Sequence, residues 1–234
     1  MRINKYLSQA GIASRRKADD LIRSGNIKVN GAVMKEPGYD VKDEDVVEVN
    51  GRPVEGMQKP VYLLLNKPLG VITSVKDDKE RMTVNELVKD VDARLFPVGR
   101  LDYNTTGALI MTNDGDLTYR VTHPRHELDK TYRALVKGIL SREKLAKLRN
   151  GVDIGGFVTS RARVSIIKEG KNSTLVEISI HEGKNRQVRK MFAAVGNPVQ
   201  SLTRIAIGEV RLGHLKEGHY RKLTPEEVQY LKNC

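Results

Sequence analysis

The sequence predicts an α+β fold in two parts, a small domain over residues 1–54 and a larger domain over residues 61–234 built on a mixed, mostly antiparallel sheet. Strand-like segments outnumber helical ones in the larger part and do not alternate strictly with them, which argues against a doubly wound fold. The polar stretch Glu55–Pro60 contains Gly and Pro and is typical of a linker.

Two helices followed by short hairpins are predicted for the N-terminal part. Apolar residues share one helical face over Ile3–Ala10, and Ser14 is a favourable N-cap for a second helix that extends to Ser24. Two Asn-Gly pairs, at 30–31 and 50–51, accompany valine-rich runs and are typical of tight hairpin turns. A small domain of two helices and short strands is large enough to carry one recognition surface.

In the larger part, apolar and β-branched runs predict seven strands, and helical periodicity predicts four helices. The predicted strands cover residues 61–65, 71–75, 108–112, 132–136, 161–167, 174–181 and 199–207. The predicted helices cover residues 84–91, 142–148, 186–195 and 226–231.

The charge is strongly positive and unevenly distributed. Lys and Arg number 41 against 29 Asp and Glu, a formal charge of +12. Residues 1–35 hold eight basic and two acidic side chains, whereas residues 36–58 hold two basic and seven acidic ones. This segregation favours a face that binds a polyanion, with nucleic acid as the leading candidate, over a uniformly basic surface. The candidate contacts in this part are Arg2, Lys5, Arg15, Arg16, Lys17 and Arg23.

Composition disfavours several other classes of protein. With 39% hydrophobic and 30% charged residues, the chain is neither typically disordered nor typically membrane-spanning, and we expect no membrane partner. The single cysteine, Cys234, excludes an internal disulfide and a cysteine-rich zinc site. His123 and His126 flank a proline, which indicates a loop, so we expect no metal. The absence of a signal-peptide pattern and of a coiled-coil pattern leads us to expect a cytoplasmic monomer.

One acidic residue stands out in the polar segment 99–107. Asp102 directly precedes an apolar run, and loops at a sheet edge commonly carry catalytic side chains. Aspartate is also common as a turn-capping residue, so the chemistry of this segment alone favours a structural role. From these residues by themselves, both roles stay open.

Four motifs in order resemble those of pseudouridine synthases, in particular the RsuA/RluB branch. The segment 99–107, GRLDYNTTG, is similar to the signature loop of that family. Residues 65–70 (LNKPLG), 130–132 (KTY) and 182–192 (EGKNRQVRKMF, followed by LTRIAIG at 202–208) resemble its other motifs. The first 50 or so residues resemble the αL RNA-binding domain shared with a small-subunit ribosomal protein. Ala108 and Lys190 depart from the family pattern, where a larger aliphatic residue and an arginine are usual.

The resemblance implies an isomerase that converts uridine to pseudouridine and needs no metal or nucleotide cofactor. It implies that Asp102 attacks C1′ or removes the 2′ proton, that Tyr132 stacks on the base, and that Arg189 pairs with Asp102. Leu202 is expected to wall the base pocket. The remaining expected RNA contacts are Arg100, Lys184, Arg186 and Lys190.

The substrate implied by the resemblance is ribosomal RNA, either free or in an assembling subunit. The type it resembles most acts on large-subunit (23S) rRNA near the peptidyl-transferase region, and small-subunit (16S) rRNA is the alternative. A non-catalytic RNA-binding protein of ribosome assembly is a second alternative, disfavoured because Asp102, Tyr132 and Arg189 occur together. A DNA-binding function is a third alternative, supported by the charge alone, because the sequence lacks a recognition-helix motif.

Overall fold

The computed structural model describes residues 1–75, 77 and 79–234. The chain divides into two units, of which the first comprises residues 1–61 with the short segments 92–95 and 113–115, and the second comprises the rest. Among the described residues, no helix has the length and apolar character that crossing a membrane requires.

The first unit contains two helices and a four-stranded sheet. Its elements are α1 (Ile3–Gln9), α2 (Arg15–Arg23), β1 (Ile27–Val29), β2 (Ala32–Val33), β3 (Val47–Val49) and β4 (Arg52–Pro53). The strands pair in the order β2-β1-β3-β4, all antiparallel. Ile3 and Leu7 of α1 pack with Ala18 and Ile22 of α2, and all four are fully buried, so both predicted helices supply the core.

The second unit is built on a nine-stranded sheet. Its strands are β5 (Tyr62–Lys67), β6 (Phe96–Val98), β7 (Thr106–Thr112), β8 (Lys130–Lys137), β9 (Arg163–Glu169), β10 (Ser173–Ile180), β11 (Val199–Ile207), β12 (Val210–Arg211) and β13 (Tyr220–Lys222). The order is β13-β5-β7-β11-β8-β10-β9, with β6 paired to β7 and β12 to β11. β7 and β11 run parallel and the other described pairs are antiparallel, which confirms the predicted mixed, mostly antiparallel sheet.

Four α-helices of the second unit cover the sheet. They are α3 (Gly115–Thr122), α4 (Arg142–Asn150), α5 (Gln187–Ala194) and α6 (Pro225–Asn233). One core joins α4 and α5 to β8, β10 and β11, with Phe192 fully buried at its centre. A second core joins α3 and α6 to β5 and β7, where Leu231 is fully buried.

Two predicted elements are wrong. The segment 71–75 forms a single bridge, between Ile72 and Thr83, rather than a strand. The amide of Ser74 donates to the carbonyl of Ile72 at 3.0 Å, so the backbone turns at this point instead of extending a ladder. The segment 84–91 forms only a 3-10 turn over Glu86–Val88, with each backbone bond spanning three residues. Its β-branched and Asn residues have low helix propensity, which favours the short turn.

The elements that the sequence did not predict are short or weakly patterned. β6, β12 and β13 have two or three residues each, and such lengths carry little periodicity. α3 buries only Leu117 and Val121, which lie one turn apart. Two buried residues are too few to give a clear helical periodicity in the sequence. A second 3-10 turn, Pro124–His126, follows α3 and agrees with the predicted loop at the histidines.

Gly107 permits the parallel contact between β7 and β11. Its φ is +109°, and a Cβ at this position would lie against the carbonyl oxygen of Arg204 and 2.7 Å from its nitrogen. Because these atoms belong to the backbone of β11, no side-chain rotation can relieve the contact. Any residue larger than glycine must therefore separate the two strands.

We expect Gly107→Ala to destabilise the second unit far more than Gly155→Ala. Gly155 has a similar φ of +99° but no atom within 4 Å of an added Cβ. Its substitution therefore introduces backbone strain without a steric clash. That strain costs about 1 kcal/mol, and the clash at Gly107 should add about 2 kcal/mol or more. Denaturant unfolding of both variants measures the difference, and equal losses would contradict the close approach of the strands.

Candidate active site

The Asp102 loop, residues 99–105, connects β6 to β7 and is held by local and distant hydrogen bonds. The amide of Thr105 donates to the carbonyl of Asp102 at 3.0 Å, which closes a turn. The Thr73 hydroxyl donates to Leu101 O at 2.8 Å. The Asp102 carboxylate is half-buried, so it is both restrained and reachable from solvent.

Lys67, at the end of β5, reaches this loop with a fully buried side chain. Its ammonium donates to the carbonyls of Thr105 and Pro68, each at 2.9 Å. Burial lowers the pKa of Lys67 to about 8, while the carboxylates of Asp102 and Glu217 raise it. Lys67 is not among the residues predicted for the site, although the motif at residues 65–70 contains it.

Arg189, in the first half of α5, also bonds to the loop backbone. Its guanidinium donates to Asn104 O at 2.6 Å and to Val199 O at 3.4 Å. Burial and the guanidinium of Arg186 lower the pKa of Arg189, whereas Asp102 raises it. Arg189 therefore interacts electrostatically with Asp102, but it donates its hydrogen bonds to carbonyl oxygens.

Arg186 is the residue that forms an ion pair with Asp102, at 3.8 Å. It also donates to the side-chain oxygen of Asn104 at 3.3 Å. The sequence predicts this pairing for Arg189 and an RNA contact for Arg186. In the described part of the chain, Arg186 forms the ion pair, and Arg189 bonds to the loop backbone. Because α5 begins at Gln187 rather than at 186, Arg186 lies outside the helix and helical spacing from Arg189 does not apply.

The backbone of Arg186 is in a conformation that side chains rarely adopt. Its φ is +54°, the left-handed region, at the N-cap of α5. Non-glycine residues in this region carry a conformational cost of about 1 kcal/mol or more, and such residues cluster at functional sites. The strain, together with the ion pair, marks Arg186 as part of the site.

Tyr132 lies on the same sheet, two strands from the end of the Asp102 loop. On β8 it is opposite Arg204 of β11, and Arg204 is in turn opposite Gly107 of β7. Strand spacing separates the backbones of Tyr132 and Gly107 by about 10 Å. The ring is partly buried against the core that includes α5, which fixes its direction.

A row of paired residues therefore crosses four strands of the sheet. Lys67 pairs with Gly107, Gly107 with Arg204, and Arg204 with Tyr132. Side chains of directly paired residues project from the same face. Gly107 contributes no side chain to this face. Lys67 therefore lies on one side of a position without a side chain, and Arg204 and Tyr132 lie on the other.

The other predicted RNA contacts of the second unit lie near its surface. Arg100, Lys184 and Lys190 are exposed. The Lys184 ammonium lies 4.5 Å from the centre of the Phe157 ring. Leu202 is buried in the core of α5 and β11, on the strand that carries Arg204. Their contacts with RNA stay predictions.

In the first unit, the predicted contacts concentrate on α2. This helix buries Ala18 and Ile22, and Ser14 caps it by accepting from the amide of Lys17 at 3.2 Å. Its four exposed cations are Arg15, Arg16, Lys17 and Arg23. On α1, Lys5 is half-buried, and Arg2 before it lies 3.7 Å from Asp40. Binding of RNA by these residues also stays a prediction.

The second unit thus places the Asp102 carboxylate near three cations, Lys67, Arg186 and Arg189. Tyr132 lies in the same row of paired residues as Lys67. A half-buried carboxylate of this kind can serve as a nucleophile or a base. The surrounding cations suit a polyanionic substrate. The described residues contain no group of three His, Cys, Asp or Glu side chains that could hold a metal ion.

Comparisons with known proteins agree with a site that acts on a polyanionic substrate through one carboxylate. The model of the RNA pseudouridylate synthase family matches residues 61–194, and the model of the S4 domain matches residues 1–47. The family match covers more than half of the chain. The chain therefore belongs to the RNA pseudouridylate synthase family, and the S4 match covers the region that resembled the αL domain.

Full-length relatives support the same assignment. The chain is 45% identical over 233 residues to ribosomal large subunit pseudouridine synthase B of Bacillus subtilis, covering 99% of this chain and 95% of the relative. It is 46% identical over 234 residues to an uncharacterized RNA pseudouridine synthase of Aquifex aeolicus, covering 99% and 93%. A crystal structure of a pseudouridylate synthase superposes with a TM-score of 0.69 at 30% identity, covering 99% of each chain.

Lys67 predicts a pH-dependent stability. Its pKa in the folded chain, about 8, is below the value of about 10.4 in an unfolded chain, so unfolding takes up a proton between these values. Stability relative to Lys67→Met should therefore rise with pH across that window, by at most about 1.4 kcal/mol per pH unit. Denaturant unfolding of both proteins from pH 7.5 to 10 measures this, and a constant difference would contradict the lowered pKa of the buried Lys67.

Proposed function

We propose that this chain isomerises a uridine of large-subunit ribosomal RNA to pseudouridine. The observation that supports the proposal is Asp102, which lies on a loop bonded by Lys67 and Arg189 and forms an ion pair with Arg186. The Bacillus subtilis relative is named for the large ribosomal subunit, and its match to nearly the whole chain supports that substrate over small-subunit rRNA.

The reaction requires one carboxylate and no change of oxidation state. The bond between C1′ and N1 of the uridine breaks, the uracil turns, and C1′ bonds to C5. A proton then leaves C5 while N1 takes one up. Asp102 would bond to C1′ or take the 2′ proton, and either step is within the chemistry of a single carboxylate. In the first case the carboxylate is released when C1′ bonds to C5. In the second, the proton returns to C2′ at that stage.

Three further residues would assist Asp102. The Tyr132 ring would stack on the uracil, and its hydroxyl is suited to accept a proton that leaves C5. Arg186 would hold the carboxylate through the ion pair at 3.8 Å. Arg189 would position the loop through the carbonyl of Asn104, at 2.6 Å, rather than through Asp102 itself.

The uridine would enter the site as an extruded base. C1′ and C5 are inaccessible inside a stacked helix, so the nucleotide must turn out of its stack. Extrusion costs less in a loop or bulge, which favours a target uridine in a weakly paired region. The cations of α2 and of the 184–190 segment would bind phosphates of the same RNA.

The proposal includes a monomer that acts in the cytoplasm. The proposed reaction uses Asp102, Tyr132, Arg186 and Arg189 of a single chain and requires no second copy. A ribosomal RNA substrate supports a location where ribosomes are assembled.

Asp102→Asn is expected to abolish isomerisation while RNA binding is retained. The amide keeps the shape of the side chain but loses its nucleophilic and basic oxygen, so turnover should fall by about 1,000-fold or more. Release of tritium from C5-labelled rRNA transcripts measures turnover, and fluorescence anisotropy measures affinity. The wild type should act on large-subunit but not on small-subunit transcripts.

The exposed Asp43→Asn serves as the matched control and should keep full activity. Turnover by Asp102→Asn within tenfold of the wild type would refute the catalytic assignment. Activity of the wild type on small-subunit transcripts alone would refute the choice of subunit.

The α2 cations should set the salt dependence of RNA binding. Replacing Arg15, Arg16 and Lys17 by Gln removes three cations, each of which lowers the salt slope by about 0.7 to 0.9 when it contacts a phosphate. The slope of log affinity against log salt should therefore decrease by about 2. Replacing the exposed Lys168 and Lys171 by Gln is the control. This control should leave the slope unchanged, and an equally unchanged slope for the α2 variant would mean that α2 does not face the RNA.

A further inference from the structure

Arg204 is a buried cation to which the proposed reaction assigns no role. Its exposed fraction is only 5%, in the interior of β11. Its Nε donates to Ala108 O at 2.7 Å. Its Nη2 is buried and has no hydrogen-bond partner among the residues that the structure describes. A buried charged donor without a partner is costly, so this atom calls for an explanation.

The position of Arg204 is between the two halves of the candidate site. In the sheet row it stands between Gly107, which ends the segment that carries Asp102, and Tyr132. As the residue paired with Tyr132, it projects from the face on which the ring lies. No carboxylate in the described part of the chain forms an ion pair with it, and Thr105 Oγ1, near Asp102, is a second buried polar atom without a partner.

The surroundings of Arg204 are positively charged. Burial, followed by the charge of Arg204, lowers the pKa of Lys130, two residues before Tyr132 on β8. The Lys130 ammonium donates to His181 O at 2.9 Å and not to a carboxylate. Lys67 is the second cation of the sheet row. This face is therefore suited to a group that is neutral when it binds and negative during the reaction.

Uracil becomes such a group when the glycosidic bond breaks. The electron pair of the C1′–N1 bond goes to N1 and is shared with the oxygens at C2 and C4. C1′ is satisfied at the same time, either by a bond to the Asp102 oxygen or by the double bond that forms when the 2′ proton leaves. Charge that develops on a carbonyl oxygen is stabilised best by a donor already in place.

We propose that Arg204 is a further catalytic residue, whose free Nη2 donates to a carbonyl oxygen of the target uracil and stabilises the uracil anion. The inference rests on the proposed isomerisation. The Nε bond to Ala108 holds the guanidinium in place, and Nη2 remains for the base. Arg204 transfers no proton. The uracil returns to neutral when C1′ bonds to C5, and the C5 proton then leaves while N1 takes up a proton.

The test compares uridine with 5-fluorouridine in one RNA stem-loop. Fluorine at C5 withdraws electrons and makes the uracil anion more stable without help from the protein. Nuclease digestion followed by chromatography measures, for both substrates, how fast the N-glycoside is converted to a C-glycoside in a single turnover. This readout does not depend on release of a C5 proton.

Arg204→Gln should slow the uridine reaction by about 100-fold, and the loss on 5-fluorouridine should be about tenfold smaller. A purely structural role would slow both substrates equally, and equal losses overturn the inference. Arg204→Lys retains the charge but not the two-armed donor, so it should show a smaller loss with the same dependence on substrate. If Arg204→Gln does not fold, the outcome for Arg204→Lys decides, and equal losses with that variant also overturn the inference.

Two variants separate the role of Arg204 from the isomerisation itself. An inactive Asp102→Asn together with an Arg204→Gln that reacts at the wild-type rate would overturn the role of Arg204 alone. An active Asp102→Asn would overturn the isomerisation mechanism, and the Arg204 inference with it.

Discussion

The site depends on two cations that donate to the backbone of the Asp102 loop. Lys67 reaches Thr105 O at 2.9 Å, and Arg189 reaches Asn104 O at 2.6 Å. Because these bonds end on carbonyls, they fix the loop without occupying the carboxylate, whose ion pair with Arg186 is longer at 3.8 Å. The carboxylate is thus held in a positive environment and remains available to a substrate, which is the arrangement that preorganised catalysis requires.

The sheet order determines which residues meet at this loop. Lys67 comes from β5, Arg204 from β11 and Tyr132 from β8, segments far apart in the sequence that the order β5-β7-β11-β8 makes neighbours. The parallel contact of β7 with β11 depends on Gly107, because any Cβ there would meet the backbone of β11. A glycine that looks like part of a loop signature is therefore also what allows the sheet to close at the site.

Local patterns predicted much of this fold. Both helices of the first unit, its turns, and the long strands β8, β10 and β11 follow from spacing and propensity, and the motif resemblance singled out Asp102 and Tyr132. The 3-10 turn near residue 86 was missed because its apolar spacing imitates a helix. The Lys67 contacts and the exchange of positions between Arg186 and Arg189 depend on strand order and on where α5 begins, and a single sequence does not contain those tertiary constraints.

The most direct measurement is a crystal structure of the Asp102→Asn chain bound to an RNA stem-loop that carries the target uridine. We expect an extruded uracil between residue 102 and the Tyr132 ring, with Lys67 still bonded to Thr105 O and Arg189 still bonded to Asn104 O. A uracil bound elsewhere, or a loop that abandons both carbonyl bonds when RNA binds, would contradict a site organised before the substrate arrives.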